Sequence, residues 1–139
     1  MQIRTFLTTD TETVIKLWND CELTRPWNNP YLDIQRKLSV RPDWFVVGEV
    51  DGKIVSSAMF GYEGHRGWVN YLAVSPAYQK RGYARLLMKY GEELMISAGC
   101  PKINLLVRTS NKDVLAFYAA LGYKTDDAVC LGKRLIPDE

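Results

Sequence analysis

Apolar positions along the chain change period several times, and each change marks an element. Ile3 to Leu7 is short and partly β-branched, with Ile3 and Thr5 alternating against Arg4 and Phe6, which predicts a strand. Thr8-Thr9-Asp10 supplies N-cap chemistry, and Val14, Leu17, Trp18 and Cys21 then recur at helical spacing. Two prolines and two asparagines between Thr24 and Pro30 stop that helix. A second helix is predicted from about Tyr31 to Val40, with Tyr31, Ile34 and Leu38 on one side. The runs Trp44–Val50 and Lys53–Phe60 are rich in β-branched and aromatic residues and meet at Asp51-Gly52, the strongest short-range hairpin signal. After a turn holding Gly61, Gly64 and Gly67, Trp68–Val74 completes an antiparallel meander.

Helical spacing resumes near Arg81. Tyr83, Leu87, Tyr90, Leu94 and Ala98 form the stripe, and Gly99 and Pro101 end it. Ile103, Leu105 and Val107 read as a strand in which Leu106 breaks the alternation, which predicts burial on both faces. Thr109-Ser110-Asn111 caps a last helix with the stripe Val114, Phe117, Tyr118 and Leu121, closed by Gly122. Tyr123–Thr125 and Ala128–Leu135 predict two final strands around Asp126-Asp127. The order β-α-α-β-β-β-α-β-α-β-β is that of an α+β fold around one mixed sheet, a single domain over residues 1–139.

Composition narrows the partners. The chain is 47% hydrophobic and 24% charged, ordinary for a soluble domain, and 18 basic against 16 acidic residues leave a net charge of +2. That balance argues against nucleic acid as the main partner. No apolar run approaches a membrane span and the N-terminus has no signal-like apolar region, so no membrane association is expected. The three cysteines, Cys21, Cys100 and Cys130, are far apart, and His65 is the single histidine. No metal site is expected from them, and mostly buried, reduced thiols in a cytoplasmic protein are the expectation.

The candidate chemistry lies in Leu72 to Leu87. Leu72-Ala73-Val74 is a strand end, Ser75 to Gln79 a loop, and a helix follows. A helix starting directly after a strand leaves its first N–H groups without partners at the positive end of its dipole, an anion site. Gly82 lacks a Cβ and Ala84 is nearly as small, so a polyanion can approach the backbone. Lys80, Arg81 and Arg85 oppose the dipole where they stand, which makes sense if an anion sits among them. The stretch predicts a pyrophosphate cradle.

Alone, Gln79-x-x-Gly82-x-Ala84 is a common pattern. One strand later, however, comes Asn111 followed by Phe117-Tyr118 and Gly122-Tyr123. In this element order the combination resembles the GNAT superfamily of acetyl-CoA-dependent N-acetyltransferases, over essentially the whole chain. Arg25–Pro30, Gly64–Gly67 and Leu131–Ile136 are similar, more narrowly, to a small bacterial member. The resemblance implies a mostly antiparallel mixed sheet with helices on both faces and acetyl-CoA as co-substrate. It implies direct transfer of acetyl to an amine acceptor: a peptide N-terminus, a lysine or a small amine. Backbone groups at Leu72, Ala73 and Val74 would pair with the pantetheine arm. Gln79, Lys80, Arg81, Gly82, Tyr83, Ala84 and Arg85 would hold the pyrophosphate, and Asn111 would contact the arm or position the last helix. Tyr118 would protonate the departing thiolate, and Trp27, Asn28 and His65 would lie near the acceptor. Relatives often carry a basic carboxylate at positions that correspond to Trp68 and Leu106, which cannot take a proton. Glu63 is the leading candidate base, with His65, Glu49 or a water chain as alternatives. The missing carboxylate also motivates a second reading, a non-catalytic acyl-CoA-binding module. A third is an unrelated nucleotide binder. The chain would act as a monomer or homodimer.

Overall fold

Asp51 and Gly52 both adopt positive φ, 51° and 77°, and turn β2 (Phe45–Val50) back on β3 (Lys53–Tyr62). This is the primed turn that the Asp-Gly pair predicts. The structure, a computed structural model, describes residues 1–139. β1 (Gln2–Thr5) pairs antiparallel with β2, and β4 (Gly67–Val74) pairs antiparallel with β3. β5 (Ile103–Leu105) lies parallel to β4, giving one mixed sheet in the order β1-β2-β3-β4-β5.

Alternation along the strands splits the core in two. Phe45, Val47 and Met59 face α1 (Thr11–Asp20) and α2 (Pro30–Leu38), where they meet Val14, Leu17, Trp18 and Ile34. Val46, Ala58 and Phe60 face α3 (Tyr83–Ser97) and α4 (Lys112–Ala120), where they meet Leu87, Met88, Met95 and Tyr118. Helices on both faces of a mostly antiparallel sheet are therefore the architecture, as expected.

Three expectations need correction. The buried stripe of α3 is Leu87, Met88, Gly91 and Met95 rather than the one through Tyr83 and Ala98. The ring of Phe60 lies where a side chain at residue 91 would stand, so the glycine sets which face of α3 meets the sheet. β5 is three residues long and only half-buried, and Leu106 is 67% exposed. The two strands expected over Tyr123–Thr125 and Ala128–Leu135 do not form. That segment is held beside β5 by Asp126, which accepts from Lys102 Nζ (2.9 Å) and Asn104 Nδ2 (2.7 Å), without a backbone ladder. An alternating pattern needs a partner edge to become a strand.

Candidate active site

The ladder between β4 and β5 runs only from Gly67↔Ile103 to Val69↔Leu105, and beyond it the strands part. The break coincides with a bulge. The β3–β4 register passes from Met59↔Asn70 to Ser57↔Ala73, so Tyr71 and Leu72 together oppose Ala58. Tyr71 takes φ 51°, a left-handed conformation that costs a non-glycine residue roughly 1–2 kcal/mol. The surroundings hold it there. Its ring stacks on Trp18 at 3.8 Å, and Trp18 Nε1 donates to Ser57 Oγ (2.9 Å). Ser57 Oγ in turn donates to the Tyr71 carbonyl (2.9 Å). The bulge also shifts phase: Val69 packs toward α3 and α4, whereas Tyr71, two residues on, packs toward α1 and α2. Unbroken alternation would put both on one face.

The parted strands open a cleft of about 900 Å³. Asn70, Leu72, Leu105 to Arg108, Asn111, Val114 and Tyr118 line one half. The other half comes from the α1–α2 connection and α2, through Cys21, Leu23, Arg25, Trp27, Asn28 and Asp33, with Tyr71 and Met59 as floor. From Asn70 onward the edge of β4 facing this opening has no strand beside it. A linear chain with amide groups can pair there. The Val74 carbonyl, at the end of that edge, already accepts from Gln79 Nε2 (3.0 Å) and the Cys21 thiol (3.2 Å).

At the end of β4 the chain makes a single 3-10 turn, Pro76–Tyr78, then enters α3 through Lys80 (φ 63°) and Gly82 (φ 83°). None of the backbone N–H groups from Gln79 through Arg85 has an acceptor within the protein. A Cβ on Gly82 would meet nothing within 4 Å, so the approach is open. Lys80, Arg81 and Arg85 are exposed around it, with Arg81 laid over the Tyr78 ring at 5.1 Å. Successive free donors, a helix N-terminus and three cations fit a pyrophosphate.

Tyr118 is 8% exposed, in edge contact with Phe117 (5.0 Å) and Tyr123 (5.5 Å). Its hydroxyl has no partner within the protein, yet no fully buried side-chain polar atom is left unpaired, so the oxygen looks onto the cleft. Burial pushes its pKa up to about 12. Asn111 is the N-cap of α4, its Oδ1 accepting from the Val114 N–H (3.3 Å), which leaves its NH₂ toward the cleft.

Glu63 and His65 fall elsewhere. They are exposed in the turn before Gly67, at the closed end of the β4–β5 ladder, and neither lines the cleft. The Glu63 carboxylate accepts from the N–H groups of His65 and Arg66. Glu49 is bound by Arg4 Nε (2.6 Å) on the far side of the sheet order. Trp27 and Asn28 do line the cleft. Cys130 is exposed and lines it too, and Cys21 and Cys100 are half-buried, so the thiols are more accessible than expected. No His, Cys, Asp and Glu grouping could hold a metal, and no helix is long and apolar enough to cross a membrane.

Sequence reasoning passed over Asp33 and Tyr71. Tyr71 donates to Asp33 Oδ2 at 2.6 Å, on the wall opposite Tyr118's half of the cleft. No signal in the sequence joins residues that far apart.

The model of the acetyltransferase (GNAT) family matches residues 10–123. An acetyltransferase of Yersinia pestis is 50% identical over 139 residues, covering 100% of this chain and 99% of the relative. One of Pectobacterium atrosepticum is 51% identical over 138 residues, covering 99% and 98%. Among solved structures, Ard1 from Thermoplasma volcanium superposes with a TM-score of 0.75 at 25% identity, covering 87% of this chain and 80% of that one. AAC(6′)-Iy, solved with a bisubstrate analogue built on CoA and acetylneamine, gives 0.76 at 18% identity, covering 97% and 98%. Residue pattern, splayed sheet and full-length relatives agree: the chain belongs to the GNAT family of acetyltransferases.

Proposed function

We propose that the protein transfers acetyl from acetyl-CoA directly to a primary amine, with donor and acceptor bound together in the one cleft. The observation that carries this reading is the open β4 edge leading straight into a row of free N–H groups at the start of α3. Leu72 and Ala73 offer backbone groups to the pantetheine arm, and Gln79 to Arg85 hold the pyrophosphate. Gln79 acts through its side chain, which ties the loop to the Val74 carbonyl. When bound, the donor supplies an acyl thioester whose carbonyl carbon accepts the amine nitrogen.

The residues of the chain do the rest. Backbone N–H groups on the open edge of β4 would hydrogen-bond the thioester oxygen and stabilise charge that develops there. Tyr118, kept protonated by burial, gives a proton to the sulfur as the C–S bond breaks, and the proton released by the amine nitrogen returns to Tyr118 through water in the cleft. Asn111 fixes the start of α4 and thereby the Tyr118 ring. Trp27 and Asn28 wall the acceptor side. Because Glu63 and His65 stand at the closed end of the ladder, we assign neither a proton-transfer step. No cysteine is needed as a nucleophile, and three free thiols suit a reducing cytoplasm. The test is thiol release from acetyl-CoA with polyamines, aminoglycosides, lysine and peptide N-termini. Release with at least one amine is expected, and none from folded, acetyl-CoA-binding protein would overturn the transferase reading.

A further inference from the structure

Asp33 sits in the first turn of α2 and lines the cleft on the wall opposite Tyr118's half. Its side chain is 23% exposed, so it is neither sealed in the core nor free in solvent. One oxygen, Oδ2, accepts from Tyr71 at 2.6 Å, which orients the carboxylate from the very residue that makes the β4 bulge. Its other neighbour, Arg36, is shared between Asp33 and Asp138 and lies nearer to Asp138. Arg36 Nη2 donates to Asp138 Oδ1 at 2.7 Å, while the contact from Nη1 to Asp33 Oδ1 is 3.3 Å. Asp138 also accepts from the Asn29 N–H at 2.7 Å, so the arginine and the chain's penultimate residue lock each other beside α2. Each Asp33 oxygen has one partner, Tyr71 on Oδ2 and Arg36 on Oδ1, and lone pairs remain on both, since a carboxylate has about four acceptor sites. Trp27, 56% exposed, lines the same cleft. An oriented carboxylate and an exposed aromatic ring lining one cleft suit an organic cation.

We propose that Asp33, oriented by Tyr71, is the acceptor-recognition residue: it binds the amine as its primary ammonium ion beside the β4 bulge, and the ammonium gives one proton to water in the open cleft before its nitrogen adds to the thioester carbon. The inference rests on the transferase reading above. It names the substrate class as amines that arrive charged. Polyamines, peptide N-termini and lysine side chains share that group, and Trp27 selects among what is attached to it.

The test uses the full chain loaded with CoA and titrated with spermidine, a lysine-free peptide with a free N-terminus, or an N-acetylated peptide bearing one lysine. Binding is followed by calorimetry, and steady-state kinetics with acetyl-CoA run in parallel. Asp33→Asn retains an acceptor for the Tyr71 hydroxyl and removes only the charge. The expected result is that wild type binds at least one of the three, and that Asp33→Asn weakens its Kd and KM about 10- to 100-fold with KM for acetyl-CoA unchanged. Tyr71→Phe keeps the stack on Trp18 and is expected to raise the amine KM several-fold with a smaller change in kcat. Whichever amine responds identifies the source of the ammonium. Binding of none of the three by CoA-loaded wild type, or equal amine affinity in Asp33→Asn, overturns the proposal while leaving the transferase reading intact. Absence of any stabilisation by acetyl-CoA removes both.

Discussion

Replacing Tyr118 by Phe separates chemistry from architecture. The hydroxyl makes no hydrogen bond inside the protein, so its removal leaves no partner stranded. The contacts to Phe117 and Tyr123 involve the ring, which phenylalanine retains. Stability is therefore expected to stay within about 0.5 kcal/mol of wild type, and acetyl-CoA affinity to be unchanged. Turnover is expected to fall by about 10-fold or more, at least about 1.4 kcal/mol on the barrier, the low end of general-acid effects. The pH dependence carries a second signature. An ordinary phenol ionises near pH 10, whereas burial raises Tyr118 to about 12. Below about 10 it is neutral both folded and unfolded. Between 10 and 12 only the unfolded phenol ionises, so the stability linked to this residue is lost as pH rises through that window, and Tyr118→Phe abolishes that loss. The assays are thiol release at saturating amine, acetyl-CoA titration and chemical denaturation across alkaline pH. Unchanged turnover in a folded, donor-binding variant would remove Tyr118 from proton transfer. A fall matched by an equal loss of donor binding would show that the hydroxyl positions the thioester instead.

Other perturbations probe the rest of the cleft. Gly82→Ala places a Cβ where no protein atom lies within 4 Å, but at φ 83° it is expected to cost about 1 kcal/mol of stability. It should also weaken acetyl-CoA binding about 10-fold by calorimetry, and unaltered affinity would clear Gly82 from the cradle. Gly91→Ala drives a methyl into the Phe60 ring, and denaturant unfolding should show a loss of about 1–3 kcal/mol. Asp138→Asn loosens the hold on Asn29 and Arg36, and so on the Trp27 loop, which should raise the amine KM several-fold at constant acetyl-CoA affinity. The Arg36 hydrogen bond, helped by the Asn29 N–H, lowers the Asp138 pKa. Its contribution is therefore present above the ordinary carboxylate value of about 4 and is lost as pH falls through the lower folded value.

Much of the fold is local information. The Asp51-Gly52 turn, the meander, the start of α2 at Asn29-Pro30 and the Asn111 cap depend on φ preferences and hydrogen bonds within a few residues. The free N–H groups ahead of α3 are legible for the same reason, since a strand-to-helix junction follows from chain order alone. Three things were not local. The face of α3 that packs depends on Phe60 meeting Gly91, and hydrophobic periodicity alone chose a neighbouring stripe. The final alternating segment stays without strand structure because its pattern states a preference, while a strand requires an edge to pair with.

The acceptor side was the least legible part. Proximity in sequence to the start of α3 points to Glu63 as the carboxylate. That turn lies at the closed end of the β4–β5 ladder. Asp33 comes instead from α2 and meets Tyr71 from β4 only because a one-residue bulge reverses the side to which Tyr71 points. Sequence by itself determined the family, the row of free N–H groups ahead of α3 and the order of elements as far as α4, all set by short-range chemistry. Tertiary structure alone decided where the cleft opens and which carboxylate enters it, since a bulge and a splay are properties of paired strands and belong to no single stretch of chain.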